Sequence, residues 1–215
     1  SMIVSVWDIR FIMAANSIAN GSPSNTVSTK AAEKTIQLLG PQIEKLTRED
    51  LIRLARAYSD LGNFQSSIKV LTAALSLNSK DVEVKTFIGQ EQFKLNKDKE
   101  ALLTFKEALE INKKFVPAYK GLIKLYEKRK NRYELRLLYQ DLITNVGEKP
   151  DYISKLCELS TLDGLYELTD KYCNKGISLL PNEPANYIFL YQSYKYRGDI
   201  EKAVIKFDEL IKKFP

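Results

Sequence analysis

Five leucine-class residues recur along this chain at an interval of 34: Leu54, Ile88, Leu122, Leu156 and Leu190. Large residues keep the same beat at Leu71, Phe105, Tyr139, Cys173 and Phe207. Turn residues follow it at Asn63, Asn131 and Asp199, with Lys97 and Leu165 departing from the pattern. Small residues fill further columns: Ala55 and Gly89, then Ser67, Ala101 and Ala203, then Ala74, Ala108 and Gly176. A period of this length marks an array of helical units, each burying its apolar face only against its neighbours. The register runs through five units, 48–81, 82–115, 116–149, 150–183 and 184–215, with no insertion or deletion.

This pattern resembles the tetratricopeptide repeat. The fullest copies are Leu54-Ala55, Tyr58, Gly62-Asn63-Phe64 and Ala74-Leu75 in the first unit, and Leu190, Tyr194, Gly198-Asp199, Ala203 and Phe207 in the fifth. Pro181 and Pro215 stand where the family carries a late proline. The resemblance implies an all-α fold, a right-handed superhelical α-solenoid of antiparallel helix pairs. Departures from the family also inform. Lys85 and Gln92 occupy positions where it prefers large apolar residues, and Lys113 and Gly147 stand where proline is common. Ile123, Cys157 and Tyr191 replace a small residue at a close helix crossing. A larger side chain pushes backbones apart, so those crossings are expected to be wider or repacked.

Composition excludes several kinds of chemistry. With 44% hydrophobic and 28% charged residues the chain is globular rather than disordered. No apolar run is long enough to span a bilayer. There is no histidine. That removes histidine metal sites, triads and acid–base relays. Gly-rich phosphate loops and Cys-x-x-Cys pairs are missing too. We expect no enzyme activity and no cofactor. The net charge of +6 is basic, but not extreme for nucleic-acid binding.

Ahead of the repeats, Ser1-Met2 reads as a start region or cloning scar. Residues 3–13 form a short, mostly apolar strip interrupted by Asp8 and Arg10. As a helix it would place Ile3, Trp7, Phe11 and Ala14 on one face; as an extended segment it would align Ile3, Trp7 and Phe11. Periodicity does not choose between them. Residues 1–28 are read as this strip plus a flexible linker, 20–28. Residues 29–47 are read as a capping region, with a helix from Ser28 or Thr29 to Leu39 that Gly40-Pro41 interrupts. Thr47 to Asp50 reads as a capping box for the first repeat helix. The last unit ends at Phe214-Pro215 with no polar capping helix after it, which suggests truncation or a covering partner.

In the family the first helix of each unit lines the concave face. Carried onto this sequence, that face includes Arg53, Arg56, Phe87, Gln90, Lys94, Lys120, Lys124, Lys128, Lys155, Glu158, Phe189 and Gln192. Its centre is basic. Lys120, Lys124 and Lys128 recur every four residues and form one stripe along a helix. A groove of one sign concentrates ligands of the other. Such lysines are otherwise an ordinary solvated face. The family's lysine and asparagine set for a C-terminal carboxylate does not match: Ile52 and Arg56 stand in the first unit instead.

The cysteines Cys157 and Cys173 fall on the two helices of the fourth unit. Antiparallel geometry puts them about one turn out of register, near enough to pair. Two buried thiols or a disulfide both fit, and a disulfide would imply an oxidising compartment. Most tyrosines, including Tyr119, Tyr126, Tyr187 and Tyr194, fall on core columns, whereas Tyr196 is expected to be exposed.

The leading functional expectation is a non-enzymatic adaptor that binds an acidic protein segment, as a peptide or a helix. Trp7 and Phe11 are candidates for docking on the array in cis or on a second copy, and a homodimer is favoured. Tethering would make docking in cis effectively unimolecular. Two alternatives remain: a helical-repeat RNA-binding protein, which scattered acidic residues disfavour, and an assembly factor for a bacterial cell-envelope or motility complex. A soluble, cytoplasmic setting is favoured.

Overall fold

A computed structural model describes residues 25–214; residues 3–13, with Trp7 and Phe11, lie outside them. The described residues are helical throughout, apart from short turns. Packing divides the chain into two compact units, Ser1–Asn112 and Lys113–Pro215.

In the first unit, α1 spans Asn25–Leu39 and a short 3-10 helix follows at Gly40–Lys45. Two helical hairpins come next: α2 (Arg48–Asp60) with α3 (Phe64–Leu77), and α4 (Val82–Lys94) with α5 (Asp98–Ile111). Helix α1 begins at Asn25, earlier than expected, inside the stretch read as linker. The Asn, Thr and Ser residues that read as a linker are also those that open helices well. Ile36 and Leu39 of α1, with Ile43 and Leu46 after it, pack on a core of Leu51, Leu54, Val70, Leu71, Val84 and Ile88.

The second unit holds three hairpins: α6 (Val116–Lys128) with α7 (Arg132–Val146), α8 (Pro150–Leu162) with α9 (Tyr166–Leu179), and α10 (Pro184–Tyr196) with α11 (Ile200–Lys213). A core of Ile153, Leu156, Leu190 and Tyr194 joins the last two, with Tyr139 and Ile143 of α7 packed against it.

Each hairpin turns at one left-handed residue: Gly62, Asn96, Lys130, Gly164 and Gly198, with φ of 74°, 58°, 53°, 66° and 80°. The turn column predicts caps as well. The side chains of Asn63, Asn131 and Asp199 each accept a backbone N–H at the start of the second helix, while Lys97 and Leu165 make no such bond. The first helices are capped in two ways. Thr47 and Asp81 cap α2 and α4 through their side chains. Proline opens α6, α8 and α10 instead, where the missing N–H costs no helical bond.

The crossing of the two helices in a hairpin is one slot with several solutions. Ala55 shares a buried cluster with Leu71. A Cβ on Gly89 would lie 2.7 Å from the Phe105 ring, so the ring occupies the space that glycine leaves. In the fourth hairpin Cys157 and Cys173 fill the slot with a disulfide, and their Cα atoms stand 4.7 Å apart. In the fifth, Tyr191 packs against Phe207 with the rings tilted and their centroids 5.4 Å apart. The bridge decides between the two readings of the cysteines: none is free.

Candidate functional site

The first helix of each hairpin presents the expected contact residues, and its ion pairs decide which are available. In the first unit a cleft of about 310 Å³ opens beside α2, lined in part by Thr35, Arg48, Arg53, Arg56, Asp60 and Glu83. Its charges are mostly paired. Arg48 bonds the buried carboxylate of Asp81 and, at 2.6 Å, that of Glu83. The Arg48 hydrogen bond holds the Asp81 carboxyl below its ordinary range, and Asp81 raises the Arg48 guanidinium in return. Arg53 lies 3.0 Å from Asp50, one turn back on the same helix. Asp60 has a raised pKa, through burial first, opposed by Lys94 and Arg56. Arg56 itself is exposed.

Lys94 is tied inward. Its Nζ donates to Glu91 and to Ser59, each at 2.7 Å, and Glu91 is fully buried. An unpaired carboxylate there would be costly, so Lys94 neutralises Glu91 and ties α4 to α2. Gln90 is exposed. Phe87 is half-buried and packs against the core of the unit, so its ring is largely spent on packing.

In the second unit, α6 buries Tyr119, Leu122, Leu125 and Tyr126 and turns Lys120, Lys124 and Lys128 to solvent. Lys120 and Lys124 form no ion pair or hydrogen bond among the described residues. Burial pushes the Tyr126 hydroxyl up to about 12. The Tyr119 hydroxyl donates to the Lys113 carbonyl and accepts from Asn145, so both phenols serve the fold. Tyr196 is 72% exposed. Lys155 pairs with Glu158 at 2.8 Å. Phe189 is half-buried against the core, and Gln192 is half-buried as well.

Sequence reasoning overlooked the Arg48–Asp81–Glu83 and Ser59–Glu91–Lys94 networks. Part of the signal was present, since Asp50/Arg53, Glu91/Lys94 and Lys155/Glu158 are opposite charges three residues apart on one helix. No described helix is long and apolar enough to cross a membrane.

The tetratricopeptide repeat family model matches residues 51–81 and 82–115. Solved structures share the fold. The C-terminal part of a tetratricopeptide-repeat protein from Cytophaga hutchinsonii aligns with a TM-score of 0.70 and 16% identity, over 94% of this chain and 78% of that one. YrrB, described as having an unusual peptide-binding site, aligns with a TM-score of 0.62 and 16% identity, over 86% of this chain and 94% of its own. MamA aligns at 0.60 with 17% identity, over 77% and 91%. No curated protein matches the chain in sequence. Residues 51–115 thus match the tetratricopeptide repeat family, and the same repeat spacing and hairpin geometry continue through the later helices. The fold is that of a scaffold for protein–protein interaction, and proteins built this way are generally non-enzymatic.

Proposed function

We propose that the chain is an adaptor that holds an acidic peptide or helix of a partner protein on the lysine face of α6. The observation that carries this reading is the pairing state of the cations. Arg53, Lys94 and Lys155 each have an internal carboxylate, whereas Lys120 and Lys124 stand exposed, one turn apart and uncommitted. Exposed cations without internal partners are those an incoming carboxylate reaches without first breaking a pair. In the first unit the corresponding candidates narrow to Arg56 and Gln90. The peptide-binding site ascribed to YrrB lends support by likeness of fold alone.

The test is affinity capture from native lysate with the intact chain and with a Lys120→Glu/Lys124→Glu variant, each with and without nuclease. Loss of a specific protein in the variant supports the reading. Unchanged capture moves the contact elsewhere, and nuclease-sensitive recovery favours RNA. The Cys157–Cys173 bridge favours an oxidising setting over the cytosol expected from the sequence. Docking of residues 3–13 through Trp7 and Phe11, in cis or in a homodimer, is a further part of this proposal. Removing residues 2–20 should then lower stability or the native mass, and no change in either would refute it.

A further inference from the structure

The turn between α6 and α7 differs from the other hairpin turns in charge. Lys128, Arg129, Lys130 and Arg132 place four cations within five residues, and all four are exposed. The turn itself does not require them. Its left-handed position is held by glycine at Gly62, Gly164 and Gly198 and by asparagine at Asn96, residues that adopt it at little cost. Lys130 takes the same position at φ 53°, which a lysine rarely does. The side chains of Arg129 and Lys130 form no ion pair or hydrogen bond among the described residues.

Two features of the surrounding surface specify what meets these charges. The first is shape. Arg132 and Arg136 both pair with Asp163 in the turn between α8 and α9, at 3.3 and 3.4 Å, so the two turns stand side by side on one edge of the second unit. Tyr133, Leu162 and Tyr166 flank these turns and are 59%, 48% and 36% exposed. The edge therefore offers projecting tips rather than a groove. The second feature is how nearby groups are engaged. Asp163 is taken by the two arginines, and the Tyr126 hydroxyl donates to Glu134. Glu127 and Glu167 are the exposed carboxylates beside the four cations. Arg136 covers one face of the Tyr133 ring, 5.5 Å from its centroid, which disfavours that ring as a platform for bases.

We infer that this edge rests on a membrane surface rich in anionic lipid. Arg129, Lys130 and Arg132 meet the headgroup phosphates, whose negative surface potential attracts clustered cations. Tyr133, Leu162 and Tyr166 enter the headgroup layer, where tyrosine rings and aliphatic tips collect. A flat anionic surface reaches the tips of two turns at once. A peptide strand or a single-stranded nucleic acid binds along a groove instead. The edge lies past the C-terminal end of α6, whereas the adaptor reading rests on Lys120 and Lys124 in the body of that helix, so the two stand or fall separately.

The test is flotation of the full chain with vesicles of phosphatidylcholine alone and of phosphatidylcholine mixed with phosphatidylglycerol. Only the mixed vesicles should carry the chain. Arg129→Gln/Lys130→Gly should weaken that binding about thirty-fold, at about five-fold for each cation. Glycine suits the left-handed turn, so this variant keeps the hairpin. Lys69→Gln/Lys80→Gln removes the same charge from exposed positions in the first unit and should leave binding within about two-fold. Tyr133→Ser/Leu162→Ser should weaken binding several-fold without changing its salt dependence, since it removes apolar contact and no charge. Binding to neither vesicle, equal binding to both, equal loss with the two charge variants, or indifference to Tyr133→Ser/Leu162→Ser would overturn the inference. So would a single-stranded oligoribonucleotide that binds more tightly than the mixed vesicles and is lost with Arg129→Gln/Lys130→Gly, since nucleic acid would then own the edge.

Discussion

The two compact units use one helical frame with different fillings. In the first, small residues at the crossing, Ala55 and Gly89, admit large ones from the opposite helix, and side chains cap the first helices. In the second, Cys157 and Tyr191 take the small position, met by a disulfide or a tilted ring contact, and proline opens the first helices. The family model matches residues 51–81 and 82–115, which lie mostly in the first unit. The second unit keeps the hairpins with larger residues, Ile123, Cys157 and Tyr191, where the family prefers a small one. What a slot requires is filled volume and a backbone spacing it tolerates, and several residue pairs meet that requirement.

The largest effect should come from emptying the slot in the first unit. Phe105→Ala leaves a void beside Gly89 and should cost about 4 kcal/mol. Denaturant unfolding followed by unit-resolved hydrogen exchange would check this. Equal loss of protection in both units would break the comparison. Next, reduction of the Cys157–Cys173 bridge, or a Cys157→Ala/Cys173→Ala variant, should cost about 3 kcal/mol, the value for a loop of this length. The loss should appear only in the second unit, and reductant should not alter the stability of the variant.

A smaller effect separates the two kinds of lysine. Lys94→Ala strands the buried Glu91 carboxylate and should destabilise by about 2 kcal/mol. Lys124→Ala, on an exposed face, should stay within about 0.5 kcal/mol of the parent. If the two variants melt alike, the assignment of Lys94 to the fold fails. The smallest effect lies at the turns. Lys130 holds a left-handed conformation at φ 53° that glycine adopts freely. Lys130→Gly should therefore stabilise by about 0.5 kcal/mol after the unfolded-state entropy of glycine is counted. A drop in melting temperature would contradict that account.

The repeat frame was legible because it rests on local and periodic chemistry. Gly62, Gly164 and Gly198 mark turns by conformational freedom, Asn63, Asn131 and Asp199 mark helix starts, and the leucine column marks the buried side. The start of α1 at Asn25 was misread, since polar residues suit both a linker and a helix opening. The proposed contact face was legible only as a list of positions. The structure pairs Arg53, Lys94 and Lys155 with carboxylates and half-buries Phe87 and Phe189. Pairing between Lys94 and Ser59 depends on two helices lying side by side, which spacing along one helix does not report.

The 34-residue interval by itself determined the all-helical class, the five hairpins and the residues that face inward, because helix periodicity and turn preference act within a few residues of chain. Two outcomes waited on the tertiary structure: the bridging of Cys157 to Cys173 and the bond from Lys94 on α4 to Ser59 on α2. Each depends on which side chains from separate helices come within contact distance. That is set by packing across the hairpins, and no pattern along a single helix encodes it.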